Sequence, residues 1–384
     1  MRDASICTIH PNVSEEGFSS LAVATYRAST IVFDSAAAYA DRGQRNLDGY
    51  SYGLHGTPTT RTLEAQLTAL EGGVRTVLLP SGQTAIAVIM LTVLKPGDTV
   101  LIPDSVYPPV KGLCMDFLEP RGNSVRVYHP DGSDLEDLID PSVKLIWLES
   151  PGSTTMEVQD VPYVVSQAKR HGIKTGIDNT WATPLLFKPL KHGVDFSMQA
   201  LTKYAGGHSD LLLGSISVSD LDLRKKLRGT MQMLGLGVSP DEASLALRGM
   251  ETMAIRMAHA GKVALDFAER LSAKGNIGEV LHPALPGNQG HDIWKRDFAG
   301  ANGLFSVVLP ADSEAGLNRG LDRLRIFAIG ASWGGTRSLV APMSVSNTRQ
   351  FVTPWYDRTI LRISIGTEDP ADLWDDLEAL FSEI

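Results

Sequence analysis

Cysteine is nearly absent: the 384-residue chain holds two, Cys7 and Cys114. Two thiols cannot build a disulfide framework or a four-thiolate zinc site, and they fit a reducing compartment. Basic surplus is missing as well. Lys and Arg number 35 against 44 Asp and Glu, a formal net charge of −9, which argues against nucleic acid or an anionic membrane surface as partner. Long apolar runs are lacking; the longest, Ala85–Leu94, falls far short of the roughly 20 residues a membrane span needs. The opening residues MRDASICTIHPNV carry no apolar centre of a secretory signal, so a cytoplasmic location is expected. No Gly-x-Gly-x-x-Gly follows the first predicted strand, which counts against a nicotinamide dehydrogenase. His282 and His291 have no ligand partners at a useful spacing, so no metal is expected.

What remains is an ordinary globular composition, 43% apolar and 21% charged. The length suits two or three domains with a sizeable core. Residues 1–58 lack strong periodicity and are rich in Ser, Ala, Tyr and Gly, which predicts an arm rather than a core element. Leu63, Leu67 and Leu70 then fall at helical spacing between threonines and Gly72-Gly73. Strands are predicted at Val74–Leu79, Thr99–Ile102, Ser124–Tyr128, Lys144–Leu148 and Lys174–Ile177. Helices are predicted at Thr84–Leu94, Tyr107–Glu119 and Val161–His171. Short apolar strands alternating with helices predict a mostly parallel α/β sheet with both faces covered. Beyond about residue 240 the pattern changes to a long helix over Glu242–Ala273, strands at Gly303–Leu309, Arg325–Ile329 and Leu361–Ile365, and a closing helix at Asp369–Phe381. The stretch Pro283–Gly303, rich in Gly, Pro, His and Asn, reads as a loop. The expected organisation is an arm (1–58), a large α/β domain (59–240), and a long connecting helix with a smaller α+β domain (241–384).

Three segments of the large domain carry chemistry. Gln199–Asp210 places Lys203 just after a strand and before Gly206-Gly207, at the strand end where open α/β sheets bind ligands. Most lysines in such loops are merely solvated; here glycines allow close backbone approach. Asp178, in Ile177-Asp178-Asn179-Thr180-Trp181, sits at another strand end, where an acid can equally cap the next turn. Pro80-Ser81-Gly82-Gln83-Thr84 is a turn from strand to helix, whose free N–H groups and dipole suit a phosphate. A phosphate cradle, an aldehyde-reactive lysine and a carboxylate for a ring nitrogen together describe a pyridoxal 5′-phosphate site. Cys114, inside the apolar run Leu113–Leu118, reads as a core residue rather than a nucleophile.

These motifs, with Tyr52-Gly53, Gly56-Thr57-Pro58-Thr59, Leu70-Glu71-Gly72-Gly73, Leu148-Glu149-Ser150-Pro151, Ser332-Trp333-Gly334-Gly335 and Leu361-Arg362-Ile363, run nearly end to end. Through them the chain resembles the Cys/Met-metabolism family of fold-type-I pyridoxal-phosphate enzymes, and within it the bacterial cystathionine β-lyases. The resemblance implies that Lys203 carries the coenzyme through its amine and acts as base. It implies that Asp178 faces the ring nitrogen, that Gly82, Gln83 and Thr202 hold the phosphate, and that Tyr107 stacks on the ring. Tyr52 would reach a neighbouring subunit's phosphate, so a homotetramer of active-site-sharing dimers is implied. Arg362 would bind the α-carboxylate of an amino-acid substrate beside Ser332 and Trp333. The implied reaction is α,β-elimination of L-cystathionine to homocysteine, pyruvate and ammonia, also open to other cysteine S-conjugates. A γ-acting relative (cystathionine γ-synthase, cystathionine γ-lyase or methionine γ-lyase) is the alternative, and a non-catalytic interaction protein on the same scaffold is a further rival. Two positions depart from the pattern: Leu54 stands where the family usually has a phosphate-binding arginine, a role His55 or Arg61 could take over, and Ala200 replaces a common serine.

Overall fold

In the computed structural model, residues 16–44, 48–275, 277–351 and 355–384 are described; Cys7 lies outside them. Residues 16–44 and 48–57 run mostly as loop, with a short α-helix at Ala36–Ala40 and 3-10 turns at Asp41–Gln44 and Gly53–His55. Regular structure begins at α1 (Pro58–Glu71), where Thr57 caps the first turn, its own N–H donating to Thr60 Oγ1 at 2.8 Å. Leu63 and Leu67 on its inner face are fully buried.

A seven-stranded sheet forms the centre of the large domain. Its strands are β1 (Arg75–Leu79), β2 (Thr99–Pro103), β3 (Ser124–Tyr128), β4 (Val143–Glu149), β5 (Lys174–Asp178), β6 (Phe196–Ala200) and β7 (Gly214–Val218). They lie in the order β1-β7-β6-β5-β4-β2-β3, and β7 alone runs antiparallel to its neighbours. The mostly parallel sheet read from the apolar strands is therefore present. Strand alternation divides the core. Val77, Val100, Trp147, Phe196 and Ile216 pack beneath α2 (Gly82–Val93) on one face, while Leu101, Ile146, Leu148 and Ile177 meet α3 (Val161–Arg170) on the other. Cys114 is wholly buried in the first of these layers with its thiol 3.7 Å from Met90 Sδ, and burial pushes that thiol up to about 12. It is a core residue, as its apolar run predicts.

Helix α4 (Leu221–Met233) closes the large domain, and α5 (Pro240–Ser272) links it to the second sheet. That sheet holds β8 (Glu279–Leu281), β9 (Leu304–Val308), β10 (Ala328–Ile329), β11 (Leu339–Met343) and β12 (Ile360–Ser364), in the order β10-β11-β12-β9-β8. One face buries Phe305, Val307, Leu361 and Ile363 against the end of α5, α6 (Glu314–Asp322) and α7 (Pro370–Phe381). Alternation turns Arg362, between Leu361 and Ile363, to the opposite face and the large domain.

Several predicted elements are corrected. The helix expected over Tyr107–Glu119 is α-helical only over Pro108–Gly112, then widens to a π-helical turn at Leu113–Leu118; Cys114 and Leu118 stay inward in either geometry, so periodicity does not reveal it. The loop expected at Pro283–Gly303 contains a helix over His291–Asp297. The strand expected at Arg325–Ile329 shrinks to Ala328–Ile329, because the N–H groups of Arg325, Ile326 and Phe327 all donate to the Asp376 carboxylate at 2.9 Å instead of to a neighbouring strand.

Candidate active site

The C-terminal ends of the parallel strands open into a cleft of about 200 Å³ bounded by both domains. Gly82, Gln83, Tyr107, Asp178, Thr202, Lys203, Trp333 and Arg362 all line it. Residues 280 positions apart in sequence thus meet because strand ends of one sheet face the loop edge of the other.

Lys203 follows β6 in a turn that α5 clamps from behind. Gly249 makes this approach possible: a Cβ there would lie 2.2 Å from the Gly206 carbonyl oxygen. Arg256, one face along the same helix, donates to the Tyr204 carbonyl at 2.8 Å. On the cleft side Lys203 Nζ donates to Ser332 Oγ at 2.8 Å and lies 5.5 Å from the centre of the Trp333 ring. Burial, together with the Arg362 charge, lowers the Lys203 ammonium to about 8, against the pull of Asp178 in the other direction. An amine near neutrality is both nucleophile and base at ordinary pH.

Asp178 ends β5. The Thr180 N–H donates to its Oδ1 at 2.9 Å, an Asx-type turn, so it does cap the following turn as well as lining the cleft. Burial raises its carboxyl above the usual range, and the Thr180 hydrogen bonds and the Lys203 charge pull it partly back. A protonated ring nitrogen facing it would offset that burial penalty.

The strand-end rule that finds Asp178 also reaches Glu149, which enters the sequence reading only within the motif Leu148-Glu149-Ser150-Pro151. Glu149 ends β4, directly opposite Asp178 in the strand register, and lines the cleft. Its Oε2 accepts the Tyr107 N–H at 2.7 Å, which fixes the start of the segment bearing Tyr107. Burial and the neighbouring Asp178 charge hold the Glu149 carboxyl well above the ordinary range. Thr180 is a second residue missed: its Oγ1 accepts the Ala200 N–H at 2.8 Å and so ties β6 to the Asp178 turn.

Arg362 is 6% exposed, donates to the Ala331 carbonyl and, among the described residues, forms no ion pair with a carboxylate. A buried guanidinium with free fork positions suits a substrate carboxylate. Trp333 covers the Lys203–Tyr204 turn, its ring centre 5.5 Å from that of Tyr204. Tyr52 is the exception: it is 49% exposed, its ring lies near His55, and it does not line the cleft of its own chain.

The residues fit a pyridoxal phosphate. At the start of α2, Ser81 Oγ accepts the Thr84 N–H at 3.1 Å. Next to it Gly82 lies so close to β6 that a Cβ would meet the Ala200 Cβ at 2.7 Å. The helix N-terminus is thus bare backbone facing the cleft, the surface a phosphate takes. The buried Gln83 Oε1 has no partner, while its amide donates to the Pro109 carbonyl at 2.9 Å. Thr202 Oγ1 exchanges hydrogen bonds with the Leu213 backbone at 3.3 and 3.1 Å while lining the same end.

The model of the family described as Cys/Met metabolism PLP-dependent enzyme matches residues 5–382. The chain belongs to this family. Its coenzyme is pyridoxal 5′-phosphate and its fold is that of the fold-type-I enzymes. A putative cystathionine beta-lyase of Rhizobium johnstonii is 44% identical over 92% of this chain and 89% of its own length. An L-alanine/L-glutamate racemase of Wolbachia pipientis is 38% identical over 94% and 92%, and the cystathionine beta-lyase MetC of Escherichia coli is 39% identical over 93% and 92%. Among solved structures, a cystathionine gamma synthase from Xanthomonas oryzae pv. oryzae in complex with aminoacrylate and cysteine superposes with a TM-score of 0.88 at 30% identity, covering 96% of this chain and 94% of its own. The relatives named cystathionine beta-lyase support a carbon–sulfur lyase. Among the described residues there is no cluster able to hold a metal ion and no helix long and apolar enough to cross a membrane. His208, part of the matching motifs, shapes its turn through a 2.8 Å contact of Nδ1 with the Gly206 carbonyl.

Proposed function

We propose that this enzyme eliminates the sulfur substituent from Cβ of L-cystathionine, releasing homocysteine, pyruvate and ammonia. The observation that carries the reading is the Trp333 ring beside Lys203 Nζ at 5.5 Å: a bulky wall next to the base favours a substrate whose Cα, and not its Cβ, meets the amine. Relatives named cystathionine beta-lyase support the same assignment.

The coenzyme, when bound, supplies the electron sink for charge developing at the substrate Cα. The protein does the rest. Arg362 takes the α-carboxylate in its fork and so orients the Cα–H bond toward Lys203. The Lys203 amine removes that proton, and its lowered pKa leaves it partly neutral for the task. Asp178 would face the ring nitrogen and favour its protonated form. Lys203 or Tyr107 then delivers a proton to the departing thiolate, and one water completes the balance as ammonia and pyruvate leave. Gly82, Gln83 and Thr202 would hold the phosphate; Tyr52 of a neighbouring subunit would reach the same phosphate. We propose a cytoplasmic homotetramer of such dimers, with residues 1–58 as the exchanged arm, 59–240 as the coenzyme domain and 241–384 as the closing domain. The exposed position of Tyr52, outside its own cleft, supports the arm.

The test compares L-cystathionine, L-methionine and an L-homoserine ester by coupled detection of pyruvate and of 2-oxobutanoate. Rapid pyruvate from cystathionine with slow turnover of the other two supports β-elimination. Fast 2-oxobutanoate from methionine or the ester would assign a γ-acting enzyme.

A further inference from the structure

A second cavity, about 320 Å³, has walls that include His55, Arg61 of α1, and Arg224, Lys225 and Arg228 of α4. Neutralising carboxylates reach only some of these cations. Arg61 pairs with Glu64 at 2.5 Å, Arg224 with Asp48 at 2.9 Å, and Lys225 with Asp222 at 3.1 Å. Arg228 has no carboxylate within ion-pair distance among the described residues; its guanidinium donates to the His55 carbonyl, which Arg61 also bonds. Burial and the nearby Arg61 and Arg224 charges depress Arg228 to about 10 despite Glu64, and burial with Arg228 and Arg61 lowers His55. Cations that weaken one another inside a concave wall define a focused positive field. Removing a guanidinium from water without a counter-charge is unfavourable unless an anion compensates it.

We propose that this pocket is an oxyanion site, distinct from the coenzyme cleft of its own chain, that takes a phosphoryl dianion between Arg61 and Arg228. Guanidinium forks match phosphate oxygens bidentately, and converging forks suit a tetrahedral group better than a single planar carboxylate. Ser51 and Gly229 also line the pocket and leave open space beside the guanidinium groups. Leu54 does not fill the space: its Cδ1 packs toward Gly237, where an added Cβ would come within 2.8 Å of it. The phosphoryl group has two sources, free phosphate or a phosphate carried by a molecule in the cleft of a second copy of the chain.

The experiment uses the coenzyme-loaded enzyme, so that the cleft is already filled, and titrates inorganic phosphate by calorimetry in chloride buffer. One site per chain, weakened at least tenfold by Arg228→Gln and partly restored by Arg228→Lys, establishes a site for free phosphate. In the second arm, dialysis compares retention of pyridoxal phosphate with that of pyridoxal. Faster loss of the phosphate form alone in Arg228→Gln, by about tenfold, with no phosphate titration, places the site on a neighbour's bound phosphate. Both variants are checked by thermal unfolding. Two folded variants that change neither the phosphate titration nor the phosphate-dependent retention would overturn the proposal, whatever reaction the cleft performs.

Discussion

Lys203 Nζ and Ser332 Oγ share a 2.8 Å hydrogen bond that joins the turn after β6 in the large domain to a loop of the small one. The reacting amine is therefore aimed by the second domain, not only by the strand that carries it. A hydrogen bond to a charged group contributes about 1.5–3 kcal/mol. Ser332→Ala is expected to lower the turnover number about tenfold or more while coenzyme content is unchanged. Steady-state rates set beside the visible absorbance of the bound coenzyme check this; loss of coenzyme in parallel with rate would give Ser332 a different role.

The Lys203 ammonium also reports its two charged neighbours. In the coenzyme-free protein, reductive methylation of Lys203 followed against pH is expected to show a midpoint near 8. Arg362 lowers this value and Asp178 raises it, so Arg362→Gln moves the midpoint up and Asp178→Asn moves it down. Shifts of the opposite sign would separate these groups electrostatically from Lys203.

Glu149 supplies an acceptor for Tyr107, and burial together with the Asp178 charge holds its carboxyl well above the ordinary range. A neutral amide keeps the acceptor oxygen; a methyl group does not. Glu149→Gln is expected to stay within about threefold of the parent rate and Glu149→Ala to lose about tenfold, the equivalent of roughly 1.4 kcal/mol in the barrier. Equal rates in the two variants would mean that Tyr107 needs no such anchor.

Glu71 couples the fold to pH. It is fully buried at the end of α1, where Ser197 Oγ donates to both carboxyl oxygens and Gln199 Nε2 to one at 2.7 Å. Burial pushes its carboxyl from 4.5 up to about 7. Above pH 4.5 the unfolded chain releases this proton while the folded chain retains it, so the contribution to stability is full below pH 4.5 and is lost as pH rises to 7. The loss is on the order of 3 kcal/mol. Denaturant unfolding of the parent between these pH values should show this fall, and Glu71→Gln should flatten it.

Much of this was legible in the residues themselves. Periodicity locates α1, α5 and α7 because each buries one repeating face, and short apolar runs locate most of the parallel strands, which are buried on both faces. The sites of Lys203 and Asp178 follow from strand-end position. Other features leave no local trace. β7 carries Ser215 and Ser217 in buried positions, so its apolar signal is diluted. Thr76 Oγ1 and Ser217 Oγ satisfy each other at 2.7 Å, a long-range pairing that no window of sequence contains. Arg325–Phe327 resembles a strand by composition but gives its N–H groups to Asp376, about fifty residues away. The cationic cavity lined by Arg61 of α1 and Arg228 of α4 likewise needs two helices brought together by the fold.

The central claim is which bond breaks, and the keto acid formed from L-cystathionine reads it directly. With purified, coenzyme-loaded enzyme, mass spectrometry of the products is predicted to find pyruvate and homocysteine in equal amounts, with ammonia. Elimination at Cβ leaves the three-carbon half of the substrate as the keto acid, and for this Lys203 needs to reach only Cα. Cysteine and 2-oxobutanoate as the main pair would contradict the account, since they require a second proton to be taken from Cβ past the Trp333 wall.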